Sequence, residues 1–423
     1  MAKTHIKTDQ TTQYAISTSG NRIILDEGVA ITNGAGDAMN EMAGVTDNQI
    51  TIRGTLAASG ILSSALALHG NGTDVEIARS GRLKGELGVA LHGQDATLVN
   101  HGRIEGSGFA FAVAGNSHIV NHGAIISDDG SAFFTNVIDT LRLDNDGLIR
   151  SKDGFDFQVK SLELVFASDS VIEFDTAGAI RTNSQTGWTA IIRNDGTITH
   201  DKVGMSSAIS GGAGNELVRN TGTMTGFVDL DAGDDRYDGR GGRVIDGHIL
   251  GGDGNDVYIL DNSRDRVHDS VGWGYDKLRV SASYSLGVNN EIEETWLVGK
   301  GDFNLKGNSL GNYLIGNRGD NRLVGLAGND VFAGGAGDDV IIGGDGGDVF
   351  YFKPDADREI ITDFTDGEDL LIYLGTSAFD TLENLLANHV EQRGDDLVIS
   401  NNGTEMILRN VDKADLTAAD FTA

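Results

Sequence analysis

The chain has 423 residues, 63 of them acidic and 32 basic, for a formal net charge of -31, and it contains no cysteine and one proline. That charge repels nucleic acid and anionic membranes and attracts cations, while the lack of cysteine excludes disulfides and thiolate metal sites. Sixty glycines beside 39% hydrophobic residues fit many tight turns between short strands, because disorder usually brings proline and low hydrophobicity.

The N-terminal segment MAKTHIKTDQTTQYAISTSG is polar and lacks the apolar stretch of a cleavable signal peptide. No apolar run reaches the roughly eighteen residues a membrane-spanning helix needs. Composition alone therefore points to the cytoplasm.

From Asn48 to about residue 226 a loose motif recurs: apolar-x-Asn-x-Gly-x-apolar. It is carried by segments such as ATLVNHGRIEG, SHIVNHGAII and TAIIRNDGTIT. The shared glycines are Gly54, Gly81, Gly102, Gly123, Gly147, Gly178, Gly196 and Gly222. Their spacing, commonly in the low twenties, matches one coil of a parallel β-helix. Alternation around the glycine is strand-like. Asn100, Asn121, Asn145, Asn194 and Asn220 sit two before the glycine. Stacked coils would place these side chains in an internal amide ladder. His101 and His122 share one motif position and are expected to stack on the surface. Residues 1–208 are thus predicted to form a β-helix of eight coils, similar in pattern to passenger repeats of bacterial surface proteins.

A second motif begins after residue 210. Residues 211–219 read GGAGNELVR, with Glu216 at position six; residues 230–238 read LDAGDDRYD, with Asp235 there. Residues 251–259 read GGDGNDVYI, with Gly251, Gly252 and Gly254 at positions one, two and four and Asp256 at position six. One such turn per coil is expected on one edge through residues 209–260. Residues 261–306 alternate polar and apolar residues and predict several short strands, with Trp273 and Trp296 packing.

Between residues 307 and 351 five nonapeptides follow without a gap: GNSLGNYLI, GNRGDNRLV, GLAGNDVFA, GGAGDDVII and GGDGGDVFY. Position one is always glycine, position six is Asn312, Asn321, Asp330, Asp339 and Asp348, and position eight is always apolar. The glycines at positions one, two and four (Gly325, Gly328, Gly334, Gly335, Gly337, Gly343, Gly344, Gly346) permit positive φ and close backbone approach. Calcium takes six to eight hard oxygens at about 2.3–2.6 Å, which turn carbonyls and position-six carboxylates can supply. Two nonapeptides make one coil, so Asn312, Asp330 and Asp348 share one edge and Asn321 and Asp339 the other.

The pattern G-G-x-G-x-D-x-U-x resembles the calcium-binding repeats of the RTX family of secreted bacterial proteins. The resemblance implies an all-β fold: a right-handed parallel β-helix followed by a parallel β-roll over residues 307–353 and a C-terminal cap. It implies several bound Ca2+ ions. It also replaces the cytoplasmic expectation by secretion through the type I machinery, with an uncleaved signal within residues 354–423. ITDFTDGEDLL matches the family's segment after the repeats; Asp363 and Asp369 either bind a further calcium or only make turns. Phe350, Phe352 and Phe364 are expected to close the roll. LENLLANHV from Leu382 carries apolar residues at helical spacing.

No HExxH occurs, so no zinc-protease helix is present; the one GxSxG string, GNSLG at residues 307–311, falls inside the nonapeptide run and not at the strand-to-helix turn of a lipase elbow. Asp153, Asp156 and Lys160 read more readily as a charged loop than as a catalytic group. The expected function is a calcium-binding structural or adhesive protein at the cell surface or in the extracellular space, with an extracellular polysaccharide or cell-surface component as partner. The alternative is a polysaccharide lyase or epimerase built on the N-terminal β-helix.

Overall fold

Alternating side chains set the course of the backbone. In Ala96–Asn100, Ser117–Asn121 and Thr189–Asn194 every second residue is buried, so each strand offers one face to a core and the other to water. The computed structural model describes residues 2–175, 179–200, 206–269, 274–353, 357–374, 382–401, 403–417 and 419–422; Gly178 and Trp273 lie outside them. The chain forms two compact units, Met1–Tyr237 with Gly241–Gly251, and Asp238–Arg240 with Gly252–Ala423.

The first unit is a three-walled parallel β-helix. One wall stacks ten strands, from Lys3–Ile6 to Asn215–Asn220, each parallel to the next. A second wall runs from Ala30–Asn33 to Arg243–Ile245. The third runs from Tyr14–Ile16 to Ile249–Leu250. The first wall therefore has two more rungs than the glycine motif predicts, because Lys3–Ile6 and Arg22–Leu25 carry no such motif.

The interior is apolar. Phe111, Phe133, Phe155 and Phe174 are fully buried and follow one another at centroid separations of 5.1, 5.2 and 5.5 Å. The motif glycines have a steric cause. A Cβ on Gly102, Gly123, Gly147 or Gly222 would lie 2.0–2.3 Å from the carbonyl oxygen of the glycine one coil earlier.

The amide ladder exists in two runs. Asn100 Nδ2 donates to Asn121 Oδ1 at 2.7 Å, and Asn121 Nδ2 to Asn145 Oδ1 at 2.6 Å; Asn194 donates to Asn220 at 2.8 Å. Between the runs Phe166 holds the ladder position, in register with Asn145 and Asn194. Asn145 there donates to Ser170 Oγ instead. This corrects the phase of one predicted coil: the segment from Ser170 to Arg181 spans the second and third walls, as Val171–Phe174 and Ala179–Arg181, and the first-wall strand of that coil is Val159–Phe166.

Replacing Asn121 by leucine preserves bulk but removes the ladder acceptor of Asn100 Nδ2 and the ladder donor to Asn145 Oδ1. Unsatisfied buried amides cost about 1–3 kcal/mol. Asn121→Leu should lower the thermal midpoint of the first unit by several degrees in calcium; an unchanged midpoint would show that the ladder contributes nothing.

The second unit is a two-walled roll. One wall stacks Val257–Leu260, Lys277–Val280, Glu294–Leu297, Tyr313–Ile315, Val331–Ala333, Val349–Phe352, Leu370–Tyr373 and Phe421–Thr422, all parallel. The other runs from Tyr284–Ser285 through Asn304–Lys306, Arg322–Ala327, Asp338–Asp345 and Arg358–Ile361 to Thr404–Leu408. It ends in the antiparallel strands Asp396–Asn401 and Val390–Arg393. Residues 261–306 thus supply rungs of the same two walls. The position-eight residues Leu314, Leu323, Phe332, Ile341 and Phe350 are fully buried and fill the gap between the walls.

Phe350 stacks on Phe332 at 5.3 Å and meets Phe364 at 6.2 Å, which closes the core toward the C-terminal segment, where Leu382–Asn388 is helical. Trp296 departs from expectation. Its strand buries Thr295 and Leu297 and turns the indole outward, 37% exposed, with its N–H donated to Glu294.

Candidate metal centre

Each nonapeptide places its position-six side chain where the turn runs into the following strand. Asp330, Asp339 and Asp348 are at most 1% exposed. One oxygen of each carboxylate accepts a backbone N–H from the coil before: Asn312 N to Asp330 Oδ1 at 2.7 Å, Asn321 N to Asp339 Oδ1 at 2.8 Å, Asp330 N to Asp348 Oδ1 at 2.9 Å. The other oxygen, Oδ2, is buried in all three without a hydrogen-bond partner.

The glycines explain where that oxygen points. Gly335, Gly337, Gly344 and Gly346, at positions two and four, have φ between 107° and 128°, which L side chains rarely adopt. Leu326 holds φ 95° at a position two without being glycine. Position one is different: Gly325, Gly334 and Gly343 do not have positive φ. A Cβ there would lie 2.1 Å from Asp330 Oδ2, 2.5 Å from Asp339 Oδ2 and 2.1 Å from Asp348 Oδ2 respectively. Position one is glycine to leave room for the unpartnered carboxylate oxygen.

A buried carboxylate oxygen with no donor is costly as an anion. Burial, opposed by the backbone N–H and reinforced by neighbouring acids, pushes Asp330 and Asp339 up to about 7 and Asp348 up to about 6. Two things can relieve the cost: a proton or a cation. Oxygen-only donors at glycine turns, with no thiol in the chain, fit a hard divalent ion such as calcium.

The same edge extends beyond the nonapeptides. Asp256 N–H is donated to Asp276 Oδ1 at 2.8 Å, Asp276 N–H to Glu293 Oε2 at 2.7 Å, and Asp348 N–H to Asp369 Oδ1 at 2.8 Å. Asp276, Glu293 and Asp369 therefore hold position-six places that the nine-residue frame does not mark. The signal was an acid immediately before an alternating strand, as in YDKLRV, EETWLV and EDLLIY. Asp256, Asp269 and Asp276 are all buried, with one carboxylate oxygen from each within 4.8 Å of the others. Tyr258 hydroxyl donates to Asp269 Oδ2 at 2.7 Å. Burial, with the neighbouring acids, pushes Asp276 up to about 8. Asp363 accepts the N–H groups of Gly343 and Gly344 from the coil before, both at 3.0 Å.

In the first unit Glu216 is fully buried at the predicted place, its N–H donated to Asp235 Oδ1 at 2.7 Å. Thr182 and Ser184 hydroxyls donate to Glu216 Oε1. Elsewhere in this unit Glu41 is also fully buried, accepting from Asn48 and Thr73, while several other charged groups pair on the surface. Lys160 Nζ lies 2.6 Å from Asp139, and Asp156 accepts from Asn183, so Asp153, Asp156 and Lys160 engage different partners. His101 and His122 stack at 4.9 Å, and His122 pairs with Asp146 at 2.7 Å.

A pH dependence follows. A carboxyl whose pKa is raised on folding above its ordinary 3.8 destabilises the metal-free fold at neutral pH. That loss is recovered as pH falls through about 7 and 6, the folded values of Asp330, Asp339 and Asp348. Calcium-free protein should therefore gain β-sheet circular dichroism on going from pH 8 to pH 5, whereas its calcium affinity should fall over the same range as protons compete. A calcium-free signal lower at pH 5 than at pH 8 would contradict this sign.

Residues 307–353 match the family model of the RTX calcium-binding nonapeptide repeat, in four copies. The chain carries RTX repeats, and these repeats bind calcium. No curated protein sequence matches the chain. Among solved structures, the extracellular lipase LipA from Serratia marcescens is similar at 19% identity and a TM-score of 0.27, over 60% of this chain and 45% of the lipase. The chain thus spans less than half the length of that protein. No helix among the described residues is long and apolar enough to cross a membrane.

Proposed function

We propose that this RTX-repeat chain is a secreted β-solenoid that folds on calcium outside the cell and serves a structural or adhesive role at the cell surface or in the extracellular matrix. The observation that carries this reading is the file of buried carboxylates on the roll edges, whose Oδ2 atoms at Asp330, Asp339 and Asp348 have no protein partner. Such a chain resists folding where calcium is scarce and folds where it is abundant. That suits passage through a type I exporter as an unfolded polymer.

In this reading residues 1–208 are the β-helical passenger and 209–260 a first calcium block. Residues 261–306 connect it to the second block at 307–353, and residues 354–423 form the cap and the export signal. Asp235, Asp256, Asp330, Asp339 and Asp348 are the carboxylate ligands. Asn321 and the turn glycines Gly251, Gly252, Gly254, Gly325, Gly328, Gly334, Gly335, Gly337, Gly343, Gly344 and Gly346 complete the calcium turns. An acidic extracellular polysaccharide, bridged by calcium, is the partner class that a chain of net charge -31 would meet through cations.

Two measurements test this. Calcium-loaded protein incubated with alginate or pectin should bind the polymer and release no new reducing ends; their appearance would replace the structural reading by an enzymatic one. Expression beside a type I exporter should deliver the chain to the medium, and removal of residues 354–423 should retain it in the cell. Among single substitutions, Asp348→Asn should cost more calcium affinity than Asn312→Ala, because ligand charge tunes affinity; equal effects would show that the carboxylates are not the ligands.

A further inference from the structure

Glu359 lies beyond the matched repeats, yet it occupies a repeat position. Its strand, Arg358–Ile361, pairs in parallel with Asp338–Asp345, and the register sets Asp339 opposite Glu359. One coil earlier, Asn321 N–H is donated to Asp339 Oδ1 across an 18-residue step. The step from Asp339 to Glu359 is longer, so no nine-residue frame reaches it. Along this edge the series is Asn321, Asp339, Glu359. It ends at Met406, the partner of Glu359 on the next strand.

The side chains converge. Glu359 is 1% and Asp339 0% exposed. A Cβ on Gly334 would lie 2.5 Å from Asp339 Oδ2 and 2.8 Å from Glu359 Oε1. Both oxygens therefore border the small volume that Gly334 leaves open, and Asp339 Oδ2 has no hydrogen-bond partner there. The extra methylene of glutamate lets its carboxylate reach back to the turn of the preceding coil. Two buried carboxylates that border one turn, with an Asp339 oxygen that no donor reaches, suit a divalent ion with oxygen preference.

We propose that Asp339 and Glu359 together hold a calcium ion at the Gly334–Gly337 turn, with Glu359 as a ligand supplied from outside the repeats. The proposal rests on the reading that position-six carboxylates bind calcium. It has a mechanical consequence. The strand of Glu359 also pairs with Thr404–Leu408, which pairs in turn with Asp396–Asn401. An ion held by Asp339 and Glu359 fastens these C-terminal strands to the repeat stack.

The test uses the full chain. Bound calcium is counted by equilibrium dialysis, and hydrogen exchange is followed at residues 396–408, for the parent protein, Glu359→Gln, Asp339→Asn, their double variant and Asp348→Asn. Glu359→Gln and Asp339→Asn should each lose one ion, the double variant the same single ion, and residues 396–408 should exchange in calcium as fast as they do in chelator. Parental stoichiometry and protection in Glu359→Gln would overturn the proposal while Asp339→Asn still loses an ion, and so would loss of two ions in the double variant. If Asp339→Asn and Asp348→Asn also bind like the parent, the calcium role of position six falls as well. Should Glu359→Gln fail to fold, Glu359→Asp keeps the charge and withdraws the carboxylate; that ion should weaken by about tenfold or more, since site geometry and charge set affinity, and unchanged affinity would overturn the shared site.

Discussion

Stripping calcium from the full chain should abolish hydrogen-exchange protection across residues 252–423 and leave most of residues 1–237 protected. The two units differ in what holds them. The first has a fully buried apolar core, with Phe111, Phe133, Phe155 and Phe174 in succession and asparagine ladders satisfying the turns. Apolar burial and hydrogen-bonded rungs do not depend on calcium. The second is thin, two short strands per coil, and places carboxylates inside its turns. Each ion bound a thousandfold above its Kd adds about 4.1 kcal/mol to stability. A whole domain usually commands only about 5–15 kcal/mol. Removing two or three ions therefore withdraws about 8–12 kcal/mol, as much as a whole domain usually commands, even before repulsion among the released acids is counted. Exchange mass spectrometry of one sample with and without chelator compares the units directly. Equal protection of residues 252–423 in both conditions would show that the roll stands without the metal.

The sequence announces the roll wherever the chain keeps a fixed period. From Gly307 to Phe350 every position-eight side chain is buried and every glycine at position one faces a position-six oxygen, because insertion is not tolerated inside a nine-residue unit. The period fails where loops intervene. Asp276, Glu293, Asp369 and Glu359 lie in the same edges as the nonapeptide acids, but connections of varying length separate them. In a parallel stack position is fixed by strand register, so an acid is recognised by the strand it precedes rather than by its distance from the last acid. The same physics misphased one coil of the β-helix. Phe166 replaces the ladder asparagine and Ser170 accepts its hydrogen bond. The residues that carry the motif are absent while the backbone rung is intact. Trp296 escaped for a simpler reason: in a strand of period two, size alone does not say which face a residue takes.

The position-one glycines give the second large effect. An exposed or open glycine replaced by alanine commonly gains about 0.4–1 kcal/mol by restricting the unfolded chain. Gly343 should do the opposite. Its φ is not positive, so alanine meets no backbone strain there; the new methyl would instead lie 2.1 Å from Asp348 Oδ2 and 3.1 Å from Phe350 Cζ. Phe350 is fully buried and cannot retreat, so the aspartate must swing away from the place where calcium would be held. Gly343→Ala should lose one calcium ion and cost about 1–3 kcal/mol for overpacking, apart from the lost ion. Gly287→Ala, whose methyl meets nothing closer than 4.0 Å, should be neutral in the same unit. The cause can be isolated by removing the carboxylate. In an Asp348→Ala background the methyl of Gly343→Ala has lost its main obstacle, so the second substitution should add little further damage. A double-mutant cycle measured by calcium-dependent melting would then show strong coupling between residues 343 and 348. Additive losses would mean that Gly343 is required for the course of the backbone and not for the space its neighbour's oxygen occupies.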